Sequence, residues 1–143
     1  MKRKWPYLAA LLVVLLLILK ILTSPLMQVG HQRQKQFDET YSRFSNAILA
    51  RDFATAYSIG DPDFREVTSE KDFIDQQQEI EARLGPLESS KILNFKIYGH
   101  GNSLEWIAQI REARRYKNGN FNIIYEFHFE DDRWQLSGYR PDE

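Results

Sequence analysis

LEWIAQIREARRYKNGNFNIIYEFHFEDDRWQLSG, residues 104–138, decides the fold of this chain. Leu104, Trp106, Ala108 and Ile110 alternate with Glu105, Gln109 and Arg111. Phe121, Ile123, Tyr125, Phe127 and Phe129 alternate with Asn122, Glu126, His128 and Glu130, and Trp134 and Leu136 with Arg133, Gln135 and Ser137. A period of two is the pattern of strands with one buried face. Asn118-Gly119 is the strongest hairpin signal in the chain, and a two-residue loop there sets Ile110 opposite Phe127 and Arg111 opposite Glu126. A loop at Asp131-Asp132 sets Phe129 opposite Trp134 and Glu130 opposite Arg133. Upstream, Leu93, Phe95 and Ile97 alternate with Asn94 and Lys96, and a loop at His100-Gly101 sets Phe95 opposite Trp106 and Lys96 opposite Glu105. Each closure pairs apolar residues on one face and opposite charges on the other. The expectation is a four-stranded antiparallel meander with one buried face.

Before Pro86 the period is helical. Phe37, Tyr41, Phe44 and Ile48 recur at helical spacing within His31 to Asp52, a single apolar stripe. Asp52 can cap a short second helix carrying Phe53, Ala56 and Tyr57, which Gly60-Asp61-Pro62 ends. Ser69, with Asp72 three residues on, caps a third helix whose face is Phe73, Gln77, Ile80 and Leu84 and which Gly85-Pro86 stops. Three helices are therefore expected to cover the buried face of the sheet, an α+β arrangement.

Further out lies a leader of different composition. Lys2-Arg3-Lys4 forms a basic tail at residues 1–4, and Leu8 to Leu19 is an unbroken apolar run. Residues 5–27 as a helix would be about 34 Å long, enough to cross a hydrocarbon core of roughly 30 Å. Trp5 and Tyr7 suit one boundary, and Lys20 can snorkel to the other. No Ala-x-Ala-like site lies between Leu19 and Gln36, so an uncleaved signal anchor is expected rather than a cleaved signal peptide. The basic cluster keeps the N-terminus cytoplasmic, which places residues 28–143 outside the cytoplasm, on a single-pass protein of the cell (inner) membrane.

The chain has 143 residues, 43% hydrophobic and 27% charged, ordinary for one folded domain. It has no cysteine, which excludes disulfides and thiol chemistry. Four of its 19 basic side chains stand in residues 1–27, leaving 15 against 20 acidic ones in the body, a net of −5. An acidic body excludes nucleic acid as the expected partner.

The element order, Ala54-x-Ala56-Tyr57-x-x-Gly60-Asp61-Pro62, Leu84-Gly85-Pro86-Leu87 and the closing Asp132-Arg133-Trp134-Gln135-Leu136-Ser137-Gly138-Tyr139 resemble the NTF2-like (cystatin-like) α+β cone over about residues 32–140. The closing segment looks like the final strand of small membrane-anchored NTF2-like domains of unknown function. The resemblance implies a curved sheet wrapped on helices. It leaves activity open, because the superfamily includes isomerases, dehydratases and plain binding or assembly modules. A span followed by such a domain also resembles bitopic assembly proteins of secretion systems.

In such a cone, function is expected between the long helix and the inner face of the sheet. The register puts Glu112, Arg114 and Tyr125 on that face, with Glu112 beside Tyr125 and near Ser89, while Tyr41 and Tyr57 approach from the helices. These five are the candidate ligand-binding residues. An acid beside tyrosines is how isomerase-like members arrange proton abstraction, which makes a cone-pocket enzyme using Glu112 the alternative. The favoured expectation is a solvated rim with a Glu112–Arg114 salt bridge and a non-catalytic role. A closed cavity around Glu112 would favour the enzyme, and an open rim the binding module. Arg111, Arg115 and Lys117 fall on the outer face. His31, His100 and His128 are too scattered for a metal site, Asp61 and Asp63 read as a turn, and no phosphate-cradling glycine loop occurs. No cofactor is expected. The expected partners are the membrane through residues 5–27 and either a small apolar ligand or other envelope proteins, with a homodimer left open.

Overall fold

Ser69, Asp72 and Gly85 set the limits of the helix on which the sheet depends. Ser69 Oγ accepts from the Asp72 backbone N–H at 3.1 Å and donates to the Asp72 carboxylate at 2.6 Å. Gly85, at φ 78°, takes the left-handed conformation that closes the other end, its N–H on Glu81 O. In this computed structural model, which describes residues 5–22, 25–99 and 105–142, that helix is the fifth of five. The order is α1 (Trp5–Leu22), α2 (Pro25–Leu49), α3 (Phe53–Ser58), α4 (Pro62–Val67) and α5 (Glu70–Leu84), then β1 (Leu87–Gly99), β2 (Trp106–Tyr116), β3 (Gly119–Glu130) and β4 (Arg133–Pro141). The strands form one antiparallel sheet in the order β1-β2-β3-β4, so the α+β class and the meander hold.

Contacts divide the chain into two units, Met1–Lys35 and Gln36–Glu143. In the first, each residue from Leu11 to Leu19 is between 51% and 65% exposed. Among the described residues no helix is long and apolar enough to cross a membrane. The span expected over residues 5–27 includes residues 23 and 24, which lie outside the described residues.

In the second unit the expected stripe of α2 enters the core. Phe37, Phe44 and Ile48 are buried, and Tyr41 packs against them partly buried. Phe37 stacks on Phe95 at 5.2 Å and meets Phe127 and Trp134 edge-on at 5.5 and 5.1 Å. Such ring pairs each contribute roughly 0.5–1.5 kcal/mol beyond the area they bury. Asp52 caps α3 as expected, its side chain accepting from Thr55 N at 3.2 Å.

Asp61-Pro62-Asp63 does not form a simple turn. Asp61 caps a further helix, α4, accepting from Phe64 N at 2.6 Å, with Pro62 as its first residue. Asp followed by Pro is a helix-start signal, because proline needs no N–H partner in the first turn. Backbone bonds Asp61 N to Leu136 O (2.9 Å) and Leu136 N to Ile59 O (3.0 Å) then tie the α3–α4 junction to β4.

Strand parity on β2, β3 and β4 is as the alternation predicts, but two of the three registers differ. Asp131-Asp132, both with positive φ, makes the expected two-residue turn and pairs Phe129 with Trp134 and Glu130 with Arg133. The next hairpin turns on Lys117-Asn118, not Asn118-Gly119, so Ile110 faces Tyr125 and Arg111 faces Ile124. The reason is tertiary: Lys117 N and Asn118 N donate to Pro86 O (3.1 Å) and Leu84 O (2.8 Å). Gly119 instead begins β3 against Leu84, whose Cδ2 would stand 3.1 Å from any Cβ there. On β1, Phe95 faces Ile110 and Gly99 faces Trp106; the His100-Gly101 turn lies outside the described residues. Register breaks between Leu87 and Ser89 and between Ile92 and Asn94 leave Leu93 48% exposed, where alternation had put it inside. A further break between Glu126 and Phe127 bulges β4 at Ser137.

Candidate functional site

β2 carries Ala108, Ile110, Glu112, Arg114 and Tyr116 on its inner face, all buried. Two of them are charged. Glu112 is 2% and Arg114 1% exposed, so the solvated rim expected for this pair is not there. The cause is α2 and α5, which bring Tyr41 and Gln77 over the pair. The salt bridge itself is present: Arg114 Nε donates to Glu112 Oε1 at 2.8 Å. Arg114 Nη1 donates to Gln77 Oε1 at 3.0 Å and Nη2 to the Tyr125 hydroxyl, while Tyr41 donates its hydroxyl hydrogen to Glu112 Oε2. The guanidinium carbon also lies 5.3 Å from the centroid of the Tyr125 ring.

Four of the five sequence-derived residues therefore meet: Tyr41, Glu112, Arg114 and Tyr125. Their mutual positions differ from expectation in two ways. Glu112 faces Ile123 on β3 and Ile92 on β1, and Tyr125 joins only through Arg114, a consequence of the two-residue register change. Ser89 faces Arg115. Tyr57 is apart; its hydroxyl donates to Thr68 O at 2.9 Å and its ring lies against Phe64 and Phe73. Gln77 is the member that the sequence reading left unassigned. Its signal was visible, since it is the one amide on the apolar stripe Phe73, Gln77, Ile80, Leu84.

Burial is the first influence on the protonation of Tyr41, Tyr125 and Arg114. It pushes the Tyr41 phenol far above its ordinary range, and the Glu112 charge pushes it the same way. Tyr125 is raised as well, by burial first, with Arg114 pulling against that. Burial disfavours the Arg114 cation, but Tyr125 and Glu112 outweigh it and hold its pKa above the usual value. The cluster thus sets a fixed cation, Arg114, beside Glu112 and between two neutral phenols. Removing one member of such a pair leaves a buried charge uncompensated.

Of the two settings that would separate the readings, a closed cavity around Glu112 or an open rim, the rim is excluded by its 2% exposure. Clefts of about 230 to 380 Å³ open on the described surface, and Glu112 lines none of them. Each Glu112 oxygen already accepts a hydrogen bond. His128 pairs with Glu126 at 3.0 Å on the outer face, and among the described residues no group of three or more His, Asp or Glu is placed to hold a metal ion.

No protein-family model matches the chain, and no curated protein does. Among solved structures it is similar to a protein from Catenulispora acidiphila, with TM-score 0.56 and 12% identity over 80% of this chain and 94% of that one. The likeness is one of fold alone. It shows the same α+β architecture. The intermembrane-space region of the chloroplast protein ARC6 also matches, at TM-score 0.36 and 14% identity over 75% of this chain and 94% of that one, too distant to carry an argument.

Proposed function

We propose that this chain is a single-pass protein of the cell (inner) membrane that holds an NTF2-like domain outside the cytoplasm as a non-catalytic binding or assembly module. The observation that carries the non-catalytic reading is the engagement of Glu112. A general base must offer a lone pair within about 2.6–3.2 Å of the proton it takes. Glu112 instead gives Oε1 to Arg114 and Oε2 to Tyr41, with 2% of its surface exposed. An organised buried pair of this kind acts as a structural clamp between helices and sheet.

The exposure of Leu11 to Leu19 on every side of α1 supports the anchor, because a helix apolar all round belongs in lipid or in a large protein core. Its 18 residues give about 27 Å, a few ångströms short of the hydrocarbon core, which bilayer thinning and snorkelling basic residues accommodate. Helices preceding a bulged antiparallel meander support the NTF2-like reading. The partners of such a module are other envelope proteins, a second copy, or a small apolar ligand.

The test has two arms. A reporter active only outside the cytoplasm, fused after Glu143, is expected to be active; activity of a cytoplasm-only reporter at that position refutes the topology. The double variant Glu112→Leu/Arg114→Met, in which two apolar side chains replace the ion pair, is expected to complement a deletion strain at matched protein level. Loss of function in a folded, normally abundant double variant would promote the alternative, an isomerase- or dehydratase-type enzyme using Glu112.

A further inference from the structure

Alternation along β2 sends Ala113 and Arg115 to the face of the sheet opposite Glu112 and Arg114. The strand register then sets Ser89, Arg115 and Asn120 side by side on β1, β2 and β3, with Lys91, Ala113 and Asn122 in the next row. These six residues line a cleft of about 380 Å³, within the roughly 300–1,000 Å³ of small-molecule sites. Ala113 makes the depression, because it puts a methyl group where its neighbours in the row carry longer side chains. Two register breaks, between Leu87 and Ser89 and between Ile92 and Asn94, bracket the stretch of β1 that lines the cleft. Bulges sharpen the local twist, re-aim side chains and are over-represented beside functional sites.

The charge of this cleft runs against that of the body, in which acidic side chains outnumber basic ones. No acid lines it. Among the described residues Lys91 has no ion pair, and Arg115 meets a single carboxylate, Glu88, at 3.4 Å, with the two side chains 67% and 46% exposed. So exposed a pair holds weakly, and an incoming anion displaces it at small cost. Arg114 also borders the cleft, but its guanidinium is committed to Glu112, Gln77 and Tyr125. Lys91 and Arg115 are diagonal neighbours across two antiparallel strands, a spacing of roughly 7–8 Å that a single multivalent anion can bridge.

We propose that this cleft binds a phosphate group carried on a small polyol, with the phosphate between Lys91 and Arg115 and the hydroxyls on Ser89, Asn120 and Asn122. A guanidinium matches phosphate oxygens with paired N–H donors, and an ammonium adds a compact charge. Serine hydroxyls and asparagine amides both donate and accept, which is what the hydroxyls of a polyol require. The Ala113 methyl and the aliphatic stems of Lys91 and Arg115 offer carbon surface to the polyol skeleton. A soluble phosphorylated polyol and a phospholipid headgroup present the same chemistry, and the experiment separates them. The site goes beyond the binding-module reading and does not depend on it, since it stands on the other face of the sheet from Glu112.

The full chain in phosphatidylcholine nanodiscs is titrated with sn-glycerol 3-phosphate and with glycerol, followed by saturation transfer to each probe, with empty nanodiscs as the blank. Glycerol 3-phosphate is expected to bind saturably and glycerol, which lacks the phosphate, is expected not to. Lys91→Gln and Arg115→Gln each remove one cation from the cleft, and Ala113→Leu fills its floor while keeping both. Each is expected to weaken binding by about tenfold, with thermal unfolding checked to establish that the variant is folded. Lys96→Gln removes a cation from the same face of β1 outside the cleft, where it stands opposite Gln109, and is expected to change nothing. Capture of the nanodiscs by vesicles containing phosphatidylglycerol, lost in Lys91→Gln, would name a headgroup as the source; glycerol 3-phosphate binding without such capture would name a soluble phosphate. Absence of saturable glycerol 3-phosphate binding, equal weakening by Lys96→Gln and Lys91→Gln, or unaltered binding in folded Lys91→Gln and Ala113→Leu would overturn the proposal. The probe comparison on the unaltered chain stands even if a variant does not fold. None of these outcomes bears on the topology or on the role of Glu112, which the reporter fusion and the double variant test separately.

Discussion

Replacing Arg114 by methionine keeps most of the side-chain volume and removes the charge. Three hydrogen bonds go with it, to Glu112, Gln77 and Tyr125. The larger effect is on Glu112, which at 2% exposure would be left buried opposite no cation. Breaking a buried pair in this way costs about 3–5 kcal/mol, against a total of about 5–15 kcal/mol for a domain. At about 4 °C per kcal/mol for a domain of about 100 residues, the midpoint should fall by roughly 12–20 °C. Trp134 reports the transition, since it is buried with its ring 5.4 Å from that of Phe129. Glu112→Leu alone strands the cation and should also destabilise. The double variant removes both charges, so its cost should be smaller than the two single costs together by more than about 1 kcal/mol. Additive effects, or an Arg114→Met cost below about 1 kcal/mol, would mean that the pair is solvated and that the clamp does not exist.

Two further outcomes follow from the core. Trp134→Ala should cost about 3–5 kcal/mol, the half-buried Trp106→Ala clearly less, and Arg133→Ala on the outer face under about 1 kcal/mol by urea unfolding; equal effects from the two tryptophans would refute the observed register of β1 on β2. The phenols of Tyr41 and Tyr125 are raised in the folded state, so the unfolded chain loses those protons first. Their contribution is therefore complete below about pH 10 and lost progressively above it. A spectrophotometric titration should find these two ionising only as the protein unfolds, and simultaneous titration of all seven tyrosines in the folded protein would contradict their burial.

What the sequence determined by itself was set by short-range rules. Alternation on β2, β3 and β4 is a property of the strand, with period two, so the inward placement of Ile110, Glu112, Arg114, Tyr125 and Phe127 was legible without any knowledge of pairing. The caps at Asp52 and Ser69 and the stop at Gly85 were equally local, because each satisfies backbone groups within three or four residues. Register was not local. The Asn-Gly pair favoured one turn, but two backbone bonds from the α5–β1 junction draw the turn to Lys117-Asn118 and move β3 by two residues. Parity survived that change because two is the strand period, and the partner of Glu112 did not. The bulge at Leu93 had no sequence signal, since it arises from fitting a curved strand to its neighbour.

Burial of the charged pair was likewise decided in three dimensions. From the chain alone, Glu and Arg two apart read as a surface pair, which is where such residues usually stand. Only the packing of α2 and α5 over β2 supplies the phenol of Tyr41 and the amide of Gln77, without which two charges would not survive the removal of water. Gln77 illustrates the division between the two. The sequence placed it on a buried stripe, and the structure gave its Oε1 a partner in Arg114 and left its Nε2 buried without one among the described residues.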